Sequence, residues 1–211
     1  MTIKTFTFNP FQENTYLLYD ETNEAVIIDA GCLNINERNT LIQYIVQNKL
    51  NLKRVLNTHL HLDHQFGNKF LFTTFGLKPE ANIEDEFLLE SVVAQAKSFG
   101  LPFNEEAQEL GNYIVEDQII NFGNSSLKTF HVPGHSPGSI SFYSEKEGFV
   151  IVGDALFKGS IGRTDLPRCD YATLILSITK KLLTLPDSTV VYSGHGPTTT
   201  IGDEKINNPY L

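Results

Sequence analysis

The segment from residue 59 to residue 64 concentrates potential metal ligands, which are His59, His61, Asp63 and His64. Further along the chain, potential ligands that each adjoin a glycine stand at His135, Asp154 and His195. Imidazole nitrogen and carboxylate oxygen suit zinc, iron and manganese, whereas calcium requires more oxygen ligands. The pattern therefore predicts a site for two divalent metal ions, with zinc expected first and iron or manganese as the alternatives.

The spacing of these residues indicates how the ligands divide between two ions. Histidines two positions apart on an extended stretch point to the same side, so His59 and His61 can act together with His135. This first set offers three nitrogens and an open fourth position. The second set is predicted to contain Asp63, His64 and His195, and the carboxylate of Asp154 is predicted to bridge the two ions.

Two ions about 3.5–4 Å apart can share one water molecule and lower its pKa toward about 7. Such a site supplies a hydroxide nucleophile at neutral pH without a catalytic serine or cysteine. The main alternative is a structural zinc site, but structural sites are usually closed by cysteine ligands. The two cysteines, Cys32 and Cys169, lie outside the histidine motifs, which favours a catalytic site.

Two further residues are assigned supporting roles. Asp29 follows a predicted strand and is expected to hold the outer nitrogen of a metal-bound histidine, because such histidines require an acceptor for their second N–H. Its alternative role is that of a simple turn residue. His131, four residues before His135, is interpreted as a packing residue or as support for a ligand.

The motif segments each follow a predicted strand, so they are expected to meet at one edge of the sheets. The predicted strands are 2–8, 14–19, 25–29, 53–57, 119–120, 127–132, 139–143, 149–152 and 189–192, and the predicted helices are 36–49, a segment from 67, 84–99 and 170–183. Strand-rich halves flanked by helices predict an α/β fold with two packed sheets and outer helices. We expect one domain over residues 1–211.

The composition restricts the possible partners. A net charge of −9 makes nucleic acid an unfavourable partner. The first residues lack an apolar signal segment, and no apolar run is long enough to span a membrane. We therefore expect a cytoplasmic protein that acts on a small-molecule substrate, including an anionic one, without membrane contact. The oligomeric state is not fixed by the sequence.

The order His-x-His-x-Asp-His, His135, Asp154, His195 resembles the metallo-β-lactamase superfamily. Three segments, 133–139, 153–157 and 159–167, and the tail 208–211 are more specifically similar to short glyoxalase II-like hydrolases. This resemblance implies a four-layer αββα sandwich with the metals at the sheet edges. It also implies hydrolysis of thioesters such as S-lactoylglutathione by a metal-bridging hydroxide, which Asp63 would help to orient as a catalytic residue.

The resemblance leaves other functions open. One is a persulfide dioxygenase, with a single iron held by two histidines and an aspartate, and another is a lactone hydrolase. A β-lactamase is disfavoured, because common members have a cysteine ligand where this chain has Asp154. Full-length glyoxalase II enzymes add a C-terminal helical domain that holds glutathione, and we expect that domain to be absent.

Two basic residues near Asp154 are candidates for substrate binding. Arg163 lies on a glycine-rich loop, and its guanidinium could bind a substrate carboxylate in a bidentate way. The alternative for Arg163 is a structural ion pair with Asp165 or Asp170. Lys158 is a second, weaker candidate for the same role.

Overall fold

The N-terminal part of the chain forms a six-stranded mixed sheet. Its first three strands are antiparallel neighbours, and the next three continue the sheet in parallel. In sheet order the strands are β1 (Thr2–Phe8), β2 (Glu13–Tyr19), β3 (Glu24–Ile28), β4 (Asn51–Leu56), β5 (Pro79–Ala81) and β6 (Asn112–Tyr113). The computed structural model describes residues 1–211.

The C-terminal part forms a second six-stranded sheet. Its order is β14-β13-β10-β9-β8-β7, and β10 and β13 are its only parallel pair. The strands are β7 (Ile119–Phe122), β8 (Ser125–His131), β9 (Ile140–Ser144), β10 (Phe149–Gly153), β13 (Val190–Ser193) and β14 (Thr199–Thr200). Strands β11 (Leu156–Phe157) and β12 (Ser160–Ile161) form a separate two-stranded ribbon.

The helices cover the outer faces of the two sheets. They are α1 (Ile35–Gln47), α2 (Asn68–Phe75), α3 (Val92–Ser98), α4 (Tyr171–Ser177) and α5 (Ile201–Asn207). The predicted single helix 84–99 is wrong in detail, because Ile83–Ser91 forms a 3-10 helix that precedes α3. The predicted helix 170–183 also divides, since α4 continues as a π-helical turn over Ile178–Leu182. No helix combines the length and apolar character required to span a membrane.

Alternation along the strands divides the buried apolar residues into layers. In β3, Val26 and Ile28 face the second sheet, whereas Ile27 packs with Leu41 of α1 on the outer face. In β10, the odd-numbered residues Phe149 and Ile151 lie between the sheets, and the even-numbered Val150 and Val152 pack against α4. The result is helix, sheet, sheet, helix, which confirms the predicted αββα sandwich.

One buried carboxylate joins the two sheets at the turn after β2. Asp20 Oδ2 accepts hydrogen bonds from the Asn124 amide at 2.7 Å and from Ser125 Oγ at 2.9 Å, both in the turn between β7 and β8. Asp20 Oδ1 accepts from the Thr22 amide at 3.0 Å. Burial raises the pKa of Asp20, but these hydrogen bonds outweigh burial and lower the pKa to about 2.

Replacing Asp20 with alanine should lower the free energy of unfolding by about 2 kcal/mol at pH 7, since hydrogen bonds to a charged acceptor contribute about 1.5–3 kcal/mol. The carboxylate stabilises the fold above its ordinary pKa of about 3.8, and this stabilisation is lost as the pH falls toward 2. Urea denaturation of both proteins at pH 7 and pH 3 measures the difference. Exposed Glu106, whose side chain makes no hydrogen bond or ion pair, is replaced by alanine as the control and should unfold at nearly the same urea concentration as the wild type.

An Asp20→Ala variant as stable as the wild type at pH 7 would contradict this account of the junction. A difference between variant and wild type that grew with acidification would contradict the sign of the pKa shift.

Candidate metal centre

The predicted ligands lie at one edge of the sandwich, because they follow strands whose carboxyl ends meet there. The segment 59–64 follows β4, His135 follows β8, Asp154 follows β10 and His195 follows β13. Strands β8 and β10 are both antiparallel to β9, so they run in the same direction and end at the same edge. The short 3-10 helix Leu62–His64 turns Asp63 and His64 toward the strand ends.

The first set of potential ligands contains only imidazoles. His59, His61 and His135 each offer one nitrogen, and these atoms lie within 4.8 Å of one another. The His61 Nδ1 and His135 Nε2 atoms are 2.9 Å apart. His59 is fully buried, and its Nε2 atom has no hydrogen-bond partner.

The second set contains one carboxylate and two imidazoles, from Asp63, His64 and His195. Asp63 Oδ2 lies 3.1 Å from His195 Nε2 and 3.8 Å from His64 Nε2. His64 is fully buried, and its Nε2 atom also lacks a hydrogen-bond partner. His195 is partly exposed, so the second set opens to solvent on its side.

Asp154 stands between the two sets. Its Oδ2 atom is 3.6 Å from the Nε2 atoms of both His135 and His195, one from each set. Its Oδ1 atom is 3.4 Å from His64 Nε2 and is buried without a hydrogen-bond partner. A carboxylate that faces both sets can contact two cations, one with each oxygen or both with one.

Hydrogen bonds on the outer side of the cluster orient two of the histidines through Asp29. His64 Nδ1 donates to Asp29 Oδ2 at 3.0 Å, and Thr58 Oγ1 donates to the same oxygen at 2.6 Å. The Thr58 hydroxyl is in turn 2.9 Å from His59 Nδ1, which can donate to it. Asp29 is fully buried, and its backbone has a positive φ of 55°.

Backbone carbonyls hold two further histidines. His135 Nδ1 donates to the Arg163 carbonyl at 2.9 Å, and His195 Nδ1 donates to the Phe11 carbonyl at 3.0 Å. With Nδ1 protonated, the lone pair of each histidine is on Nε2, which faces the other ligands. This is the arrangement found around metal-bound histidines.

The cluster fits divalent cations on several independent observations. Inward nitrogens of His59 and His64 and one oxygen of Asp154 are buried without partners, a cost that a bound cation would remove. His61 Nδ1 lies 2.9 Å from His135 Nε2, which carries a lone pair because His135 Nδ1 donates to the Arg163 carbonyl. The donor types, nitrogen with a few carboxylate oxygens, match zinc, iron and manganese.

Comparison with known proteins gives the family. The model of the metallo-beta-lactamase superfamily matches residues 8–195. The chain belongs to this superfamily. Hydroxyacylglutathione hydrolase GloC of Haemophilus influenzae is 42% identical over 100% of this chain and 98% of its own length. The probable metallo-hydrolase YqgX of Bacillus subtilis is 35% identical over 96% of this chain and 93% of its own.

Two solved structures resemble the chain over nearly its whole length. BLEG-1 B3 metallo-beta-lactamase has a TM-score of 0.88 at 35% identity and covers 100% of this chain and 99% of its own. TTHA1623 in a di-iron-bound form has a TM-score of 0.87 at 35% identity and covers 99% and 100%. These similarities confirm the predicted metallo-β-lactamase fold. They identify the chain as a member of a metal-dependent hydrolase family.

Burial and neighbouring groups shift the pKa values of the clustered histidines and aspartates. Burial, and then the neighbouring histidines, lower the pKa of His59 well below its usual value, which keeps this imidazole neutral and able to bind a cation. Burial and His135 lower the pKa of His61 to about 3, in spite of nearby carboxylates. Burial raises the pKa of Asp154, but His64, His135 and His195 lower it far more, so this carboxylate is ionised.

The other predicted site residues lie at the rim or outside the cluster. The Arg163 guanidinium forms a bidentate ion pair with Asp165, at 2.6 and 2.7 Å, which is one of the ion pairs predicted as its alternative role. Lys158 is exposed and lines a cleft beside His195 with Phe157. The His131 ring contacts the Pro137 carbonyl at 2.7 Å and so holds the loop that follows His135.

Sequence reasoning missed the residues that join the second sheet to β2 at this edge. Asn14 Nδ2 donates to the carbonyls of Ser193 and Gly196, at 3.1 and 2.9 Å, and the Tyr16 hydroxyl donates to the Ser193 carbonyl at 2.5 Å. These contacts fix the loop that carries His195. No local pattern around residue 14 indicates them, because the partners are about 180 positions away in sequence.

Proposed function

We propose that the chain is a binuclear metal-dependent thioester hydrolase of the glyoxalase II type. The observation that carries this proposal is the pair of three-ligand sets that share the Asp154 carboxylate, with inward nitrogens freed by outward hydrogen bonds. The 42% identity to hydroxyacylglutathione hydrolase GloC over the whole chain supports a thioester as substrate.

His59, His61 and His135 would hold one cation, Asp63, His64 and His195 would hold the other, and Asp154 would contact both. Zinc is the first candidate, and the di-iron-bound form of TTHA1623 supports iron as an alternative. A bound pair of divalent cations supplies Lewis acidity and ionises water near neutral pH.

The residues of the chain then have separate tasks. Asp63, whose Oδ2 is 3.1 Å from His195 Nε2, would accept a hydrogen bond from the attacking water and orient it. Thr58 and Asp29 keep Nδ1 of His59 and His64 as donors, so both rings present Nε2 to the centre. A thiolate leaves without strong acid catalysis, so the site requires no further proton donor at the leaving sulfur.

Substrate binding is proposed for the rim of the site. Lys158 lies beside the open second set, where it could pair with a carboxylate of an anionic thioester. Arg163 could contribute by releasing Asp165, since the pair is more than half exposed and therefore weak. Because Arg163 also holds His135 through its backbone carbonyl, its side chain can change partner without moving that ligand.

The test combines metal analysis with an anaerobic assay on the same preparation. We expect two metal ions per chain and release of free thiol from S-lactoylglutathione or a simpler acyl thioester. A lactone and a β-lactam serve as comparison substrates. The lactone tests the alternative of a lactone hydrolase, and the β-lactam is included because BLEG-1 is named as a B3 metallo-beta-lactamase. Two bound ions without thiol release from any thioester would overturn the proposal.

The same preparation distinguishes the persulfide dioxygenase. One iron per chain, together with oxygen consumption in the presence of a persulfide, would favour that reaction over hydrolysis. The intact second set of ligands supports the two-ion site instead, because a single-iron site would not need His64 and His195.

A further inference from the structure

Asp85 is a buried carboxylate that belongs to neither ligand set. It lies in the first turn of the 3-10 helix Ile83–Ser91, after Asn82, whose side chain accepts from the Glu84 amide and caps the helix. Its side chain has no exposure to solvent. A fully buried carboxylate is costly unless donors surround it, so its contacts decide its role.

All three contacts of the Asp85 carboxylate come from the loops that carry the first ligand set. Oδ2 accepts from the Leu60 amide at 3.1 Å, and Leu60 stands between His59 and His61. The same oxygen accepts from Ser136 Oγ at 2.7 Å, next to His135. Oδ1 accepts from the Gly138 amide at 2.6 Å.

The close approach of the second loop depends on a glycine. A Cβ on Gly138 would lie 2.7 Å from Asp85 Cγ, which is shorter than real Cβ contacts. The loop after His135 is therefore fitted against this one carboxylate. The Ser136 hydroxyl is also 2.9 Å from Ser139 Oγ, so it is oriented on both sides.

We propose that Asp85 is a positioning residue that sets the distance between the His59–His61 loop and His135, and thereby the metal affinity of the first set. The proposal rests on the two-ion function proposed above. Its geometric basis is that the Asp85 carboxylate is hydrogen-bonded both to the loop that carries His59 and His61 and to the loop that carries His135. It makes no hydrogen bond to Asp63, His64 or His195. The second set, with Asp63, His64 and His195, should be unaffected.

The Asp85→Asn variant tests this proposal. Asparagine keeps the shape of the side chain but has only one acceptor oxygen, and its NH2 group would face an N–H or O–H donor of one of the two loops. We expect an approximately 10- to 100-fold weaker affinity for one of the two cobalt(II) ions in a chelator competition, the range typical for residues that support a ligand. The visible spectrum of the cobalt(II) protein should change for the same ion, since its coordination geometry changes.

Asp20→Asn is the matched control. Asp20 is a buried carboxylate that also accepts from backbone amides and hydroxyls, but it lies at the turn after β2. It should lower Tm without altering either cobalt affinity. If Asp85→Asn behaved like this control, or weakened both ions equally, Asp85 would have only a structural role and the proposal would be wrong.

A double variant makes the assignment to the first set explicit. In a His61→Ala background, where that set is already broken, Asp85→Asn should not weaken the remaining ion further. A further loss there would contradict the proposal. If Asp85→Asn does not fold, Ser136→Ala removes one contact of the same carboxylate and should weaken the same ion by up to about 10-fold, and an unchanged affinity would be contrary evidence.

Metal affinity is read without substrate, so this result is independent of the reaction. Wild-type protein that binds two ions but releases no thiol would refute the thioesterase, whereas a selective effect of Asp85→Asn would still support the positioning role.

Discussion

Replacing His61 with alanine is expected to remove one of two bound metal ions and to lower kcat/KM for a thioester by more than about 100-fold. His61 Nδ1 and His135 Nε2 lie 2.9 Å apart and face the unpartnered nitrogen of buried His59, so the first set has no spare ligand. Loss of a residue that only supports a ligand costs about 10- to 100-fold, and loss of a ligand should cost more. Elemental analysis and steady-state kinetics measure both effects.

His131→Gln is the matched control for His61→Ala. The His131 ring is hydrogen-bonded to the Pro137 carbonyl, and a glutamine amide can still donate to that oxygen. The control should bind two ions and retain activity close to that of the wild type. If His61→Ala kept wild-type turnover after loss of its metal, the hydrolase account would be wrong.

Replacing Asp154 with asparagine should have the larger effect on metal binding, because both ions should be weakened together. Of the seven proposed ligands only Asp63 and Asp154 are anionic, so Asp154 offsets much of the charge of two divalent cations. Its oxygens face His135 of the first set and His64 and His195 of the second set. We expect kcat/KM to fall by more than about 100-fold and both ions to be lost at a chelator concentration that the wild type withstands.

Asp117→Asn removes one carboxylate charge without touching the site. Asp117 is exposed, pairs with Lys128, and has a positive φ that asparagine tolerates well. This variant should bind both ions normally. Retention of both ions at wild-type affinity by Asp154→Asn would show that Asp154 does not contact them.

The placement of the ligands could be predicted because it follows from local patterns. Short runs of apolar and β-branched residues predicted β4, β8, β10 and β13, and the histidine and aspartate motifs follow those strands within a few residues. In the structure these strand ends do meet at one edge, which brings the two sets and Asp154 together. Strand period and motif position are both properties of short segments, so a single sequence contains them.

The supporting residues could not be predicted, since their roles depend on distant partners. Asp85 appears in the sequence as one acid among several in an apparent helix, yet its partners Ser136 and Gly138 are about fifty residues away. Asn14 and Tyr16 appear as ordinary strand residues, although they hold the loop before His195. The role of Asp29 could be predicted only because metal-bound histidines require an acceptor for their second N–H.

The errors in the helices have a similar origin. The acidic, apolar stretch over Ile83–Ser91 has helical periodicity, but Asp85 directs its side chain inward to the ligand loops, and the segment winds as a 3-10 helix. The short strands β5 and β6 have too few residues to show alternation, and only the pairing of β5 with β4 and of β6 with β5 reveals them. Tertiary contacts therefore determine the secondary structure of these segments.

Anomalous X-ray diffraction from crystals of the metal-loaded protein, collected on both sides of the absorption edge, is the most direct test of the metal centre. We predict two peaks roughly 3.5–4 Å apart. One peak should lie about 2.0–2.2 Å from nitrogens of His59, His61 and His135, and the other at that distance from Asp63, His64 and His195, with Asp154 touching both. Crystals with no peak in the cluster, or with a single ion bound away from these atoms, would contradict the account.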